Sequence, residues 1–277
     1  MNFRGKLQFV ARTDVGQFRE HNEDFITENE SQGFAVLADG MGGPNAGEVA
    51  SSMAVNLMVD ELKDYRAGSS VIAAEVSSGN SGLPKEAQVV RNAVEKVNSA
   101  VFHVSQTQPE YQGMGTTIVA AYYYDNRISV AHLGDSRMYR FRSGRLEQIT
   151  RDHSFVQEQL DKGLFTKEEA RASDKKNVVT RALGVADFVD VEVHIHEVEA
   201  GDLYLMCSDG LHDLVTDTDI ENAMIELSSN LNELAAHLVN LANLAGGKDN
   251  ISVILTRVVK PYPLKRSLID RVANWFG

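Results

Sequence analysis

The sequence predicts an α+β fold built mostly from antiparallel strands, and two patterns carry that reading. Apolar runs of strand length recur at residues 7–11, 34–38, 117–124, 128–133, 138–141, 189–196, 203–207 and 251–256. Between them lie longer segments whose apolar residues return every three to four positions. Residues 46–64 place Ala46, Val49, Ala50, Met53, Leu57 and Met58 on one stripe, and residues 86–105 do so with Val90, Ala93, Val94, Val97, Val101 and Val104. Residues 217–227 and 230–245 form a second helical pair. The stretch TIVAAYYYDNRISVAHLGDSRMYRF reads as a three-strand meander turning at Asp125-Asn126 and near Gly134-Asp135, because links this short cannot make parallel crossovers.

Composition narrows the class. A chain of 277 residues with 43% apolar content can bury a large core, and one domain over residues 1–259 is expected. The 39 acidic against 27 basic residues, a net charge of −12, disfavour a nucleic-acid surface. The single cysteine, Cys207, excludes an internal disulfide and favours a reducing compartment, so a cytoplasmic location is expected. It closes the apolar run LYLMC and reads as buried rather than reactive. No run approaches the ~18 apolar residues of a membrane span.

Three segments fall outside the strand and helix pattern. Residues 66–86 are rich in Gly and Ser and read as a loop insertion between two helices. Residues 152–185 are polar and weakly periodic, as expected of a small surface subdomain. The tail, residues 260–277, carries a crude apolar face of Leu264, Leu268, Ile269, Val272, Trp275 and Phe276, expected to dock on the protein's own body.

The stretch FAVLADGMGGPNAGEVAS links an apolar run to a helix through glycines, the form of a phosphate loop. It lacks the Gly-Lys-Ser/Thr ending and the GxGxxG spacing, so Asp39 requires another account. Asp39 ends one apolar run, Asp209 follows another in SDG, and Asp249 precedes a third. If the third strand is antiparallel to the other two, the three carboxylates converge on one sheet edge. Such a cluster takes up protons or binds a cation, and oxygen-only ligation favours Mg²⁺ or Mn²⁺. Glu23 and Asp24 precede another expected strand. Taken singly, each acid reads equally well as a turn residue or cap.

In order along the chain stand RxxxED (Arg19, Glu23, Asp24), ADGMGG (38–43), GEVAS (47–51), GTT (115–117), GDSR (134–137), TRALG (180–184), SDGLHD (208–213) and GGKDNIS (246–252). Together these resemble the bacterial type 2C, metal-dependent (PPM family) protein serine/threonine phosphatases, over residues 7–257. The resemblance implies a four-layer α-β-β-α sandwich, two antiparallel sheets flanked by helices, with residues 152–185 as a flap beside the site. It implies two Mn²⁺ or Mg²⁺ ions, with Asp39 bridging them, the Gly40 carbonyl on the first, and Asp209 and Asp249 on the second. Asp135 matches the acid of a weaker third metal site. Glu23 and Asp24 match positions acting through metal-bound water, and Arg19 the arginine that holds substrate phosphate.

The chemistry implied is hydrolysis of phosphoserine and phosphothreonine by a water bridging two metals, on phosphorylated proteins and against a Ser/Thr kinase. A monomer is expected, and a noncatalytic phosphoprotein-binding module of the same fold is the alternative. Met41 stands where eukaryotic relatives carry a proposed proton-donating histidine, and Pro44 where many bacterial members carry one. Metal-bound water is then the first candidate donor and His153 the second. His21 and His132 read as hydrogen-bonded scaffold. Ser136 and Ser208, outside any GxSxG elbow, read as turn hydrogen-bonders rather than nucleophiles.

Overall fold

A computed structural model describes residues 2–43, 45–72 and 82–263. Pro44, the middle of the 66–86 insertion and the apolar face of the tail lie outside the described residues. In chain order, β1 (Leu7–Asp14), β2 (Asp24–Asn29) and β3 (Phe34–Met41) lead into α1 (Ala46–Ala67) and α2 (Lys85–Thr107). A short β4 (Gly115–Thr116) precedes β5 (Ile118–Tyr124), β6 (Arg127–Leu133), β7 (Arg137–Arg142) and β8 (Arg145–Gln148). There follow α3 (Phe155–Asp161), α4 (Lys167–Ala172), β9 (Glu192–Glu197), β10 (Leu203–Cys207), α5 (Asp209–His212), α6 (Asp217–Leu227), α7 (Leu231–Leu244) and β11 (Ile251–Val258).

The strands form two antiparallel sheets. One runs β1-β11-β10-β7-β8, the other β2-β3-β5-β6-β9, with β4 paired to β3. The continuous apolar run of β3 exists because both faces of that strand are covered. Phe34, Val36 and Ala38 pack with Ala50, Ala54, Met58, Val90, Val94 and Val97 under α1 and α2. Their alternates Ala35 and Leu37 face the second sheet through Tyr123, Met138, Tyr204 and Ile254. On the far side Leu205, Cys207, Val253 and Leu255 pack against Leu234, Leu238 and Val239 of α7. Fully buried side chains such as Leu37 stabilise this arrangement by about 1.5–3 kcal/mol each relative to exposure. The layers are therefore helix, sheet, sheet, helix, as expected. No described helix is long and apolar enough to cross a membrane.

The meander is corrected. Strands β5 and β6 pair across Asp125-Asn126, whose positive φ values of 40° and 56° match the twist of a two-residue hairpin. Strand β7, however, belongs to the other sheet, paired with β10 and β8. The link at Gly134–Ser136 is a corner between sheets rather than a hairpin. Gly134 has φ +103°, and its N–H and C=O bond to His153 instead of to a facing strand. Because alternation marks both kinds of link alike, the sequence could not separate them. The run at 189–196 is also trimmed: pairing begins at Glu192. Residues 152–185 hold two short helices, α3 and α4, the latter closed by a capping box from Thr166 and Glu169.

Where β3 meets α1, the backbones touch. A Cβ on Gly40 would lie 2.0 Å from the Gly47 carbonyl oxygen and 2.8 Å from that of Glu23, both main chain. Gly40→Ala must therefore push α1 off the end of β3. Overpacking of this kind costs about 1–3 kcal/mol, and the thermal midpoint is expected to fall by roughly 3–10 °C in a scan against wild type.

Candidate active site

The ends of β3 and β10 and the start of β11 meet at one end of the sheet pair. Asp39 is fixed by its main chain: its N–H donates to Thr117 Oγ1 (3.0 Å), and its carbonyl accepts from Thr116 Oγ1 and the Thr117 N–H (both 2.8 Å). Asp209 opens α5 directly after β10, behind the N-cap Ser208. Asp249 accepts the Asn250 N–H on Oδ1 (2.9 Å) just before β11. Glycine allows the close approach here too, since a Cβ on Gly210 would sit 2.0 Å from the Asn250 carbonyl oxygen. The predicted convergence therefore occurs, with one amendment. Asp39 comes from one sheet, and Asp209 and Asp249 from the other, so the acids gather between sheets rather than along a single edge.

These residues line a cleft of about 270 Å³ with Arg19, Glu23, Gly40, Met41, Thr117, Asp135, Asn177 and Val179. A larger cavity of about 610 Å³ adjoins it, sharing Asp135, Asn177 and Asp209 and running under α3 and α4. The flap thus forms one wall of a groove that leads away from the acids.

Asp24 faces Asp39 across the β2–β3 ladder. Its Oδ2 accepts from Ser208 Oγ (2.7 Å), which in turn accepts the Ser252 N–H (3.0 Å). Glu23 is tied through its N–H to Asn250 Oδ1 (2.8 Å), and Asn250 also donates to the carbonyls of Val15 and His21. Arg19 stands half-exposed at the cleft mouth and donates to Asp249 Oδ2 (2.8 Å). Asp135 is buried, and its own main-chain carbonyl accepts from His212 Nε2 (3.0 Å).

The electrostatics of this cluster are unfavourable without a counter-charge. Burial, then the neighbouring carboxylates, hold Asp39 and Asp209 well above the usual carboxylate range. Burial also pushes Asp24 and Asp135 up to about 6. Burial raises Glu23 as well, against the opposing pull of Arg19. Two carboxylate oxygens, Asp24 Oδ1 and Asp209 Oδ1, are buried with no hydrogen-bond partner. An orphaned buried carboxylate oxygen is costly, and an oxygen-rich group of this charge fits a hard divalent cation.

The structure does not bring His153 to the cleft. Its Nδ1 accepts the Gly134 N–H (3.2 Å), its Nε2 lies 3.2 Å from Glu192 Oε1, and burial lowers its pKa. The ring is committed to the corner between the sheets. Ser136 bonds Thr117 Oγ1 (2.8 Å) and Ser208 bonds Asp24, consistent with their reading as hydrogen-bonders. Cys207 is buried, and burial pushes its thiol up. The sequence reading assigned no role to Thr117, Asn250, Asn177 or Val179. Thr117 and Asn250 lie within the GTT and GGKDNIS runs, but a residue that positions a neighbour's backbone leaves no spacing signal. Asn177 and Val179 reach the cleft only through the tertiary placement of the flap.

Comparison with known proteins decides the family. The profile of the family described as Protein phosphatase 2C matches residues 16–243. The chain belongs to that family. It is 38% identical over 247 residues to the serine/threonine phosphatase stp of Listeria welshimeri, covering 88% of this chain and 93% of the relative. The crystal structure of the Mycobacterium tuberculosis serine/threonine phosphatase PstP/Ppp superposes with a TM-score of 0.78 at 36% identity, over 91% of this chain and 98% of that one. The catalytic domain of PstP in complex with two manganese ions matches with a TM-score of 0.77 at 36% identity, over 92% and 99%.

Proposed function

We propose that this chain is a metal-dependent hydrolase of phosphoserine and phosphothreonine on proteins, acting against a Ser/Thr kinase, and that residues 1–259 are its catalytic domain. The observation that carries the reading is the set of buried and half-buried carboxylates at the joined sheet ends, with unpartnered buried oxygens on Asp24 and Asp209. Two divalent cations, Mn²⁺ or Mg²⁺, would be held by Asp39, shared between them, with the Gly40 carbonyl, Asp209 and Asp249. Asp135, at the joint of the two cavities, is assigned to a weaker third cation. Bound there, the cations supply a nucleophilic water at neutral pH and neutralise charge on the phosphoryl oxygens.

The chain's own residues do the rest. Thr116 and Thr117 hold the Asp39 main chain, which fixes the point from which its side chain enters the cleft. Glu23, at the cleft wall, and Asp24, buried behind it, are assigned to act through metal-bound water, and Ser208 keeps the Asp24 carboxyl oriented. Arg19, positioned by Asp249, offers the planar fork that binds two phosphate oxygens and aligns the phosphorus. Among the described residues no histidine lines the cleft, so the leaving oxygen is assigned a proton from water. The groove under α3 and α4 is assigned to the peptide on one side of the phosphoresidue. A monomeric, cytoplasmic enzyme is the simplest form of this reading.

The test is phosphate release from a phosphothreonine peptide by the purified chain. Turnover is expected with Mn²⁺ or Mg²⁺ and its loss with excess chelator. Full turnover in chelator, or none with either metal, overturns the reading. The noncatalytic alternative predicts peptide binding without release.

A further inference from the structure

A second group of ligand side chains lies away from the carboxylate cleft, at the free edge of the β2-β3-β5-β6-β9 sheet. His132 on β6 stands opposite Glu192 on the edge strand β9, and His194 follows two residues on, so all three share one face. One ligand atom from each lies within 4.8 Å of the others. The centre of such a triangle is at most roughly 2.8 Å from each atom, against about 2.0–2.2 Å for zinc–nitrogen and zinc–oxygen bonds, so closing the site takes inward movements under ~1 Å together with a rotation of the part-exposed His194 ring, which stacks on His132 at 5.5 Å and 29°.

The tautomer of His132 gives independent support. The ring is fully buried, and its Nε2–H donates to the Arg151 carbonyl at 2.8 Å. A carbonyl only accepts, so the proton is on Nε2 and Nδ1 carries a free lone pair. That Nδ1 has no hydrogen-bond partner. A buried imidazole whose outer nitrogen is anchored to a carbonyl and whose inner nitrogen is unpartnered has the arrangement of a metal-ligating histidine. The His194 Nε2 is unpartnered too and lies 3.8 Å from Glu192 Oε2. Burial lowers His132 to about 4, keeping the ring in the neutral form a metal requires. Glu192 and His194 are each about one-third exposed, which leaves a path for an ion.

We propose that His132 Nδ1, His194 Nε2 and the Glu192 carboxylate form a second metal site, selective for a borderline transition ion of the zinc class and separate from the carboxylate cleft. Two imidazoles and one carboxylate suit Zn²⁺, whereas the all-oxygen cleft suits Mg²⁺ and Mn²⁺. The site would clamp the edge strand to β6. The His153 ring, stacked on His132 at 4.7 Å and 13°, would carry that restraint into the start of the flap.

The test is X-ray absorption at the zinc edge on the full chain, loaded with one equivalent of Zn²⁺ in excess Mg²⁺ and passed through a desalting column. The described residues lining the cleft include no histidine and the adjoining groove contributes one, His212, so a pair of imidazole ligands that is lost in His194→Ala marks the proposed site. Wild type is expected to retain about one zinc with two imidazole ligands, and His194→Ala and Glu192→Gln to bind it at least ~10-fold more weakly. His194→Ala should keep wild-type phosphatase activity in Mg²⁺, which shows that it is folded. Zinc without imidazole scattering, no retained zinc in wild type, or equal retention by the two variants overturns the site. A failure of phosphatase activity would bear on the cleft and leave this result readable.

Discussion

Asp39→Asn is expected to lower kcat/KM on a phosphothreonine peptide by at least about a thousandfold, equivalent to about 4 kcal/mol of transition-state stabilisation. The amide matches the carboxyl in shape but carries no charge, so a cation shared at this position loses its anionic ligand. The main-chain bonds to Thr116 and Thr117 do not involve the side chain and should survive. The variant should therefore fold. It should in fact be more stable than wild type in chelator, because it removes a carboxylate whose charged form is disfavoured by burial and then by Asp24, Asp209, Asp135 and Asp249. Loss of activity with a higher metal-free thermal midpoint separates a ligand role from a scaffold role. A variant that is inactive only because it unfolds would show the opposite midpoint.

The second large effect is on stability against pH. A carboxyl raised from its ordinary 3.8 to about 6, as Asp24 and Asp135 are, holds its proton more tightly when folded than when unfolded. Its contribution is then fully present below the unfolded pKa and is lost as pH rises through the folded one. For each such group the loss is on the order of 3 kcal/mol, with Asp39 and Asp209 acting in the same direction. The buried histidines oppose this: His132 and His212, both lowered by burial, cost stability as pH falls below the ordinary histidine value. Their effect is common to metal-free and metal-loaded protein and cancels in the difference. The midpoint gained on adding Mg²⁺ should therefore be small at pH 5 and grow to several degrees by pH 7.5. A gain that is equal at both pH values would contradict the electrostatic account of the cleft.

The sequence made much of this legible because strand ends are marked by composition. Asp39, Asp209 and Asp249 each flank an apolar run, and where such runs end, the acids gather. The helical pairs on the two outer faces were legible for the same reason, since 3.6-residue periodicity survives in α1, α2, α6 and α7. Sheet membership was not. Nothing in GDSR distinguishes a hairpin from a corner, because the deciding contacts, Gly134 to His153 and Thr117 to Ser136, join residues about nineteen apart. The histidines show the same limit. His153 sits beside a polar flap in sequence, yet its ring turns to Gly134 and Glu192, and its relation to His132 and His194 exists only once β6 and β9 pair.

The central claim, that Asp39 is shared by two cations in one cleft, is tested most directly by electron paramagnetic resonance of the Mn²⁺-loaded chain. Two manganese ions sharing a ligand give a spin-coupled signal distinct from that of isolated ions. The account predicts the coupled signal in wild type and its replacement by an isolated-ion signal or none in Asp39→Asn. Only isolated-ion signal in wild type, or a coupled signal that persists in the variant, would contradict it.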